Sequence, residues 1–143
     1  MRFPLFIDIT DRDVLVVGAG NIGCRRIKTL LMFGARVSVI SEYIADEELI
    51  PKVSFAKRSF DRADIENRFM VIAATDKREV NCLIARLCAE KNIYVSVADS
   101  PQESSFFFPA VCVNDTLSVG IVSDGEHHSL VRETAAKIRG ELL

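Results

Sequence analysis

Three glycines, Gly18, Gly20 and Gly23, stand in the spacing G-x-G-x-x-G, with Ala19, Asn21 and Ile22 between them. This spacing suits a chain that must turn sharply, let an anion touch its backbone and start a helix within one short segment. Gly18 permits the tight turn, Gly20 lets a pyrophosphate approach the main chain, and Gly23 allows the helix to pack closely on the strand. The free amides of the helix start, at Asn21 and Ile22, then face the phosphates. Glycines also cluster in purely structural turns, so the context has to decide. Val14-Leu15-Val16-Val17 runs directly into the loop, and an apolar pattern of helical period leaves it, which is the setting dinucleotide binding requires.

Other polar residues fall where such a ligand would lie. Ser41 and Glu42 follow the next apolar run, and Glu42 sits about 20 residues beyond the loop, near the spacing at which a carboxylate holds the adenosine ribose. A solvated glutamate opening the next segment is the competing reading. No arginine follows Glu42 to receive a 2′-phosphate, which favours NAD over NADP. Thr75 and Asp76, after Ala73-Ala74, would lie on the same edge, as helix caps and as cofactor contacts.

The elements that must position these residues read as alternating strands and helices, which predicts an α/β fold. Strands are expected over Val14–Val17, Arg36–Ile40, Val53–Ala56, Phe69–Ala74 and Ile93–Val97, with an edge strand over Phe3–Ile9. Helices are expected from Asn21 to Gly34, with Ile22, Ile27, Leu30 and Leu31 facing the sheet, and over about Lys77–Lys91. After Asp99 the pattern changes. Ser105–Val113 and Leu117–Val122 read as strands around the turn Asn114-Asp115-Thr116, and a helix follows from His128 with Val131, Ala135, Ile138 and Leu142 on one face. The expected organisation is a Rossmann-like doubly wound parallel sheet over 1–104 and a β-hairpin-plus-helix extension over 105–143. A hairpin is marginal alone, and its apolar residues need a cover. A second copy of the chain is the simplest one, which predicts a homodimer joined through the extension.

Bulk properties narrow the function classes. The 143 residues are 49% hydrophobic and 27% charged, with a net charge of -2, a balance that argues against general nucleic-acid binding. No apolar run is long enough for a membrane span and the N-terminus lacks the pattern of a signal peptide. Cys24, Cys82, Cys88 and Cys112 are scattered without CxxC or histidines at zinc spacing. They are read as reduced, mostly buried thiols of a cytoplasmic protein without a structural metal.

Several strings together resemble a known family. Phe3-Pro4-Leu5-Phe6, Val14 to Gly20, Ala73-Ala74-Thr75-Asp76, Val97-Ala98-Asp99-Ser100-Pro101 and Ser105-Phe106-Phe107-Phe108-Pro109-Ala110 are similar to the dehydrogenase/ferrochelatase module of siroheme synthases and to free-standing precorrin-2 dehydrogenase. The resemblance covers nearly the whole chain. It implies NAD-dependent oxidation of precorrin-2 to sirohydrochlorin, in some members followed by ferrous iron insertion. It also implies that Asp99 is the base, a role one well-placed carboxylate can fill; local sequence physics alone favours Asp99 as a cap of the turn into Ser100-Pro101. Ser123 is the position matching the family's tetrapyrrole-lining serine. Asp124 stands where a glycine is usual and His127-His128 where Ser-Pro is usual; the two histidines are read as compensating for Asp124, as iron ligands, or as surface residues. Arg25, Arg26, Lys28, Arg132 and Arg139 are open to pairing with substrate carboxylates or to solvated helix faces. Two other readings stand: a nucleotide-sensing regulatory domain, and a tetrapyrrole-binding relative without catalysis.

Overall fold

The computed structural model describes residues 2–142. They form two compact units, residues 7–106 and residues 2–6 with 107–142. The first unit is an α/β layer structure. Its strands are β1 (Asp13–Ala19), β2 (Arg36–Ile44), β3 (Ser54–Lys57), β4 (Met70–Ala73) and β5 (Tyr94–Val97), ordered β3-β2-β1-β4-β5. All neighbouring pairs are parallel. The order reverses beside β1, so the carboxyl end of β1 is the switch point at which such sheets hold ligands.

β1 lies at the centre because its side chains are apolar on both faces. Val14, Leu15, Val16 and Val17 are all buried, as a parallel strand covered on both sides requires. Helix α1 (Asn21–Met32) packs on β1 and β2 through Ile27 and Leu30. Helix α2 (Arg78–Glu90) packs on β4 and β5. Its Ile84, Leu87 and Cys88 join Leu15, Val17, Val71 and Val95 in one continuous core. Burial pushes the Cys88 thiol up to about 12, so this cysteine serves packing alone.

The second unit is a hairpin and a helix. β6 (Ala110–Val113) pairs antiparallel with β7 (Ser118–Ile121), with Val111 opposite Gly120. Asn114 closes the turn by accepting from the amides of Thr116 (3.0 Å) and Leu117 (2.8 Å). Helix α3 (His128–Leu142) packs on β6. There the buried Cys112 thiol donates to the Ala135 carbonyl and Arg139 donates to the Val111 carbonyl (3.0 Å). Arg2 belongs to this unit: its guanidinium lies 3.5 Å from the centre of the Phe107 ring and donates to the carbonyls of Ser123 and Asp124.

Three expectations are corrected. Residues 3–9 form no strand, and Phe3 (88%), Leu5 (67%) and Phe6 (73%) are exposed; Pro4 removes a ladder donor. Residues 105–109 are not strand either. Ser105 and Phe106 instead donate their amides to the Val95 carbonyl, Ser105 Oγ accepts from the Val95 amide, and Pro109 lacks a donor. Ile22 is 47% exposed rather than facing the sheet. Cys24, Cys88 and Cys112 are buried and Cys82 is exposed, so the thiols are mostly buried, as expected. Among the described residues, no helix is long and apolar enough to cross a membrane.

Candidate functional site

Gly18, the last residue but one of β1, has φ +90°, a left-handed conformation that side chains resist. A Cβ there would stand 2.4 Å from the Ala74 carbonyl oxygen at the end of β4. Gly18 thus lets the turn after β1 lie directly against the turn after β4. Gly23, in the first turn of α1, is equally confined: a Cβ would stand 2.1 Å from the Gly18 carbonyl oxygen. Gly20 differs. A Cβ at Gly20 would meet only the Tyr43 hydroxyl, at 3.2 Å, so this glycine leaves the backbone open rather than relieving a clash. Gly20 is also the N-cap of α1 and supplies no side-chain cap. The loop is therefore a cradle of main-chain groups at a helix N-terminus, the arrangement that receives a pyrophosphate.

The neighbours of this loop come from three strands. Ser41, buried, accepts through Oγ from the Ala19 amide at 3.1 Å. The ladder between β1 and β2 slips between Val17 and Ala19, pairing Ala19 with Ile44. As a result β2 runs on to Ile44 and carries Glu42 and Tyr43 within its last turn of pleat, past the end expected at Ile40. Tyr43 was missed by the sequence reading, since nothing in a lone tyrosine marks it as standing over Gly20. Glu42 accepts from Ser59 Oγ at 3.1 Å and Lys77 Nζ at 3.2 Å. These bonds, Lys77 first, hold its carboxyl below the ordinary range, and Glu42 in turn raises the Lys77 ammonium.

After β4, Thr75 is fixed by Asn81 of α2, which is fully buried. Asn81 Oδ1 accepts from the Thr75 hydroxyl (2.7 Å) and amide (3.2 Å), and Nδ2 donates to the Thr75 carbonyl (3.0 Å). The expected capping of α2 by Thr75 and Asp76 takes another form. The N-cap is Lys77, without a side-chain cap bond, while Thr75 Oγ1 accepts from the Lys77 amide at 3.2 Å. Asp76 is exposed and acts on Lys77 as a nearby charge.

Asp99 lies just beyond β5 and is exposed. It does not cap the turn: Arg78, the first residue of α2, donates from Nη1 to Asp99 Oδ1 at 3.0 Å. The same guanidinium pairs with Glu103. Glu103, and Asp99 after it, raise Arg78 above its usual range, and Arg78 holds the Glu103 carboxyl low. Arg78 was also missed in sequence, because it is 21 residues from Asp99.

Asn21 is exposed in the first turn of α1. With Cys24, Arg25, Lys28, Ala45 and Asp46 it lines a depression of about 260 Å³, crossed by a Lys28–Asp46 ion pair of 2.6 Å. Cys24 is buried and donates to the Ala19 carbonyl. Arg26 reaches Ser96 of β5, and Arg139 is bound to the hairpin. Ser123 lies in the second unit, where its Oγ accepts from the Gly125 amide at 3.2 Å. Beside it Asp124 pairs with His127 Nδ1 at 2.9 Å. Among the described residues, no group of three or more His, Cys, Asp or Glu side chains could hold a metal ion.

The chain is 43% identical over 143 residues to the "Probable multifunctional siroheme biosynthesis protein HemA" of Ruminiclostridium josui, covering 96% of this chain and 28% of that protein. It is 37% identical over 131 residues to the siroheme synthase of Tolumonas auensis, covering 90% of this chain and 28% of that protein. The chain thus spans under a third of the length of these curated relatives. The solved structure of SirC, precorrin-2 dehydrogenase, superposes with a TM-score of 0.81 at 26% identity, covering 98% of this chain and 71% of that one. Residues 5–110, most of the chain and the whole glycine loop, match the family model described as "Putative NAD(P)-binding". The chain is therefore homologous to a segment of the siroheme synthases, shares its fold with SirC, and belongs to this NAD(P)-binding family.

Proposed function

We propose that this chain carries out the NAD-dependent oxidation of precorrin-2 to sirohydrochlorin. The observation that carries the reading is the placement of the glycine cradle and Asp99 along one carboxyl edge of the parallel sheet, in a chain whose fold matches SirC over 98% of its length. Gly18, Gly20, Asn21, Ile22 and Gly23 would hold the pyrophosphate, with Ser41 fixing the loop and Glu42 taking the ribose hydroxyls. Thr75 and Asp76 would flank the cofactor on the β4 side. Bound NAD supplies a hydride acceptor. Asp99 would take the proton that the macrocycle gives up as its hydride leaves, and Arg78 keeps that carboxylate oriented through Oδ1. Ser123 would contact the tetrapyrrole substrate. Residues 1–104 would form the dinucleotide-binding part and 105–143 the hairpin-and-helix extension.

The direct test is turnover: precorrin-2 and NAD are mixed with the purified chain, and NADH and sirohydrochlorin absorbance are followed together. Both products are expected to rise in equal amounts. A folded chain that binds NAD and forms neither would end the dehydrogenase reading and leave the sensor or carrier reading in its place.

We also propose that two copies pair through the hairpin and α3. A two-stranded hairpin needs further apolar cover, and Leu117 (54%), Val122 (43%) and Leu130 (58%) are exposed in this unit. Sedimentation velocity is expected to show a dimer that Leu130→Glu converts to monomer; a wild-type monomer at all concentrations would remove the proposal. The four thiols are free, which supports a reducing, cytoplasmic setting.

A further inference from the structure

The sheet order puts β2 and β4 on opposite sides of β1. Glu42 lies near the carboxyl end of β2, and Lys77 is the N-cap of α2, which follows β4. Their 3.2 Å contact therefore crosses the end of β1, where the adenosine half of a dinucleotide passes between the pyrophosphate cradle and the second strand. We propose that Lys77 sets how far this chain distinguishes NAD from NADP, by neutralising Glu42 and offering a cation to a 2′-phosphate at the same place. The proposal rests on the reading of Glu42 as the ribose carboxylate.

The charges explain why. A lone carboxylate on the ribose favours NAD twice: it accepts from the hydroxyls and it repels a 2′-phosphate. With an ammonium beside it, the repulsion is largely cancelled and an attractive partner is added. The pair is also free to rearrange. Both side chains are more than half exposed, at 51% for Lys77 and 60% for Glu42, so the bond between them is weak. Lysine's flexible stem lets the ammonium turn to a new anion. When it turns, Ser59 Oγ still donates to Glu42. Two other cations of this region are committed elsewhere: Arg58 makes two bonds to Asp64, at 2.8 and 2.6 Å, and Lys28 is paired with Asp46. A cation 35 residues from Glu42 in sequence thus takes the part of the arginine that is missing directly after it.

The test is a pair of binding titrations, NADH and NADPH separately, followed by nucleotide fluorescence on the wild type, Lys77→Met and Glu42→Gln. The wild type is expected to bind the two within about tenfold of one another, as a single charge-assisted bond would allow. Lys77→Met is expected to weaken NADPH about tenfold and to leave NADH unchanged or slightly tighter. A ratio of the two affinities that does not move in Lys77→Met overturns the proposal. Glu42→Gln separates the underlying reading, since it should weaken NADH and strengthen NADPH. If Glu42→Gln alters NADH binding while Lys77→Met leaves the ratio unchanged, only the role of Lys77 falls. If Glu42→Gln alters neither affinity, the ribose assignment of Glu42 falls, and the proposal falls with it.

Discussion

Replacing Asp99 with asparagine is expected to lower precorrin-2 oxidation by about 10²–10⁴-fold, the usual cost of losing a positioned base, and to leave dinucleotide affinity unchanged. The substitution is nearly isosteric. Arg78 donates to Asp99 Oδ1, and an asparagine Oδ1 can accept the same bond, so the turn after β5 is retained. What disappears is the ability to take a proton. Asp99 is a side chain 39% exposed, and its guanidinium partner is shared with Glu103, so the carboxylate is held by one side and open on the other. Steady-state turnover together with an NADH titration would read the two effects separately. Full activity in Asp99→Asn would remove Asp99 from the chemistry; lost affinity together with lost activity would make it a structural residue of the β5 turn.

The second large effect comes from comparing two glycines of the same loop. Gly18→Ala is expected to destabilise the chain by roughly 3 kcal/mol, the sum of a left-handed backbone and an overpacked contact. The obstructing atom is the Ala74 carbonyl oxygen, 2.4 Å from the added Cβ, and main chain cannot move aside cheaply. Gly20→Ala should behave otherwise. Its Cβ meets only the Tyr43 hydroxyl at 3.2 Å, the tip of an exposed side chain that can swing away, so the melting temperature should hardly change. The added methyl nevertheless occupies the surface that the pyrophosphate must approach, and affinity should fall by about tenfold or more. Thermal melts and NADH titrations on both variants check this. A Gly20→Ala protein that binds as well as the wild type would show that the pyrophosphate does not lie on this loop.

These contrasts also show why parts of the molecule were readable in the sequence and parts were not. β1, the glycine loop and α1 were legible because burial on both faces, a turn and a helical period are all local properties. The order in which the strands alternate with helices was legible for the same reason. The longer reach of β2 was not, since it depends on a slipped register against Ala19, which composition does not announce. Residues 105–109 are rich in aromatics and read as strand, yet Ser105 and Phe106 are drawn to the Val95 carbonyl instead. Within the site, the glycine loop was legible as a motif, while Tyr43 over Gly20 and Arg78 on Asp99 carry no local signal. The partners that tune those residues, Lys77 on Glu42 and Arg78 on Asp99, lie 35 and 21 positions away. Such pairs are made by the sheet order, and only the fold brings them together.

The return of Arg2 to Ser123 has a consequence for how the chain is made. This contact spans 121 positions, so Arg2 can meet its partner only after all the residues between them have been made. The parallel sheet, whose last strand ends at Val97, can close during that interval. The hairpin unit is then a late step relative to the sheet, and loop closure over such a distance is slow relative to local pairing. A fusion placed ahead of Arg2 would bear on that late step and leave the sheet untouched.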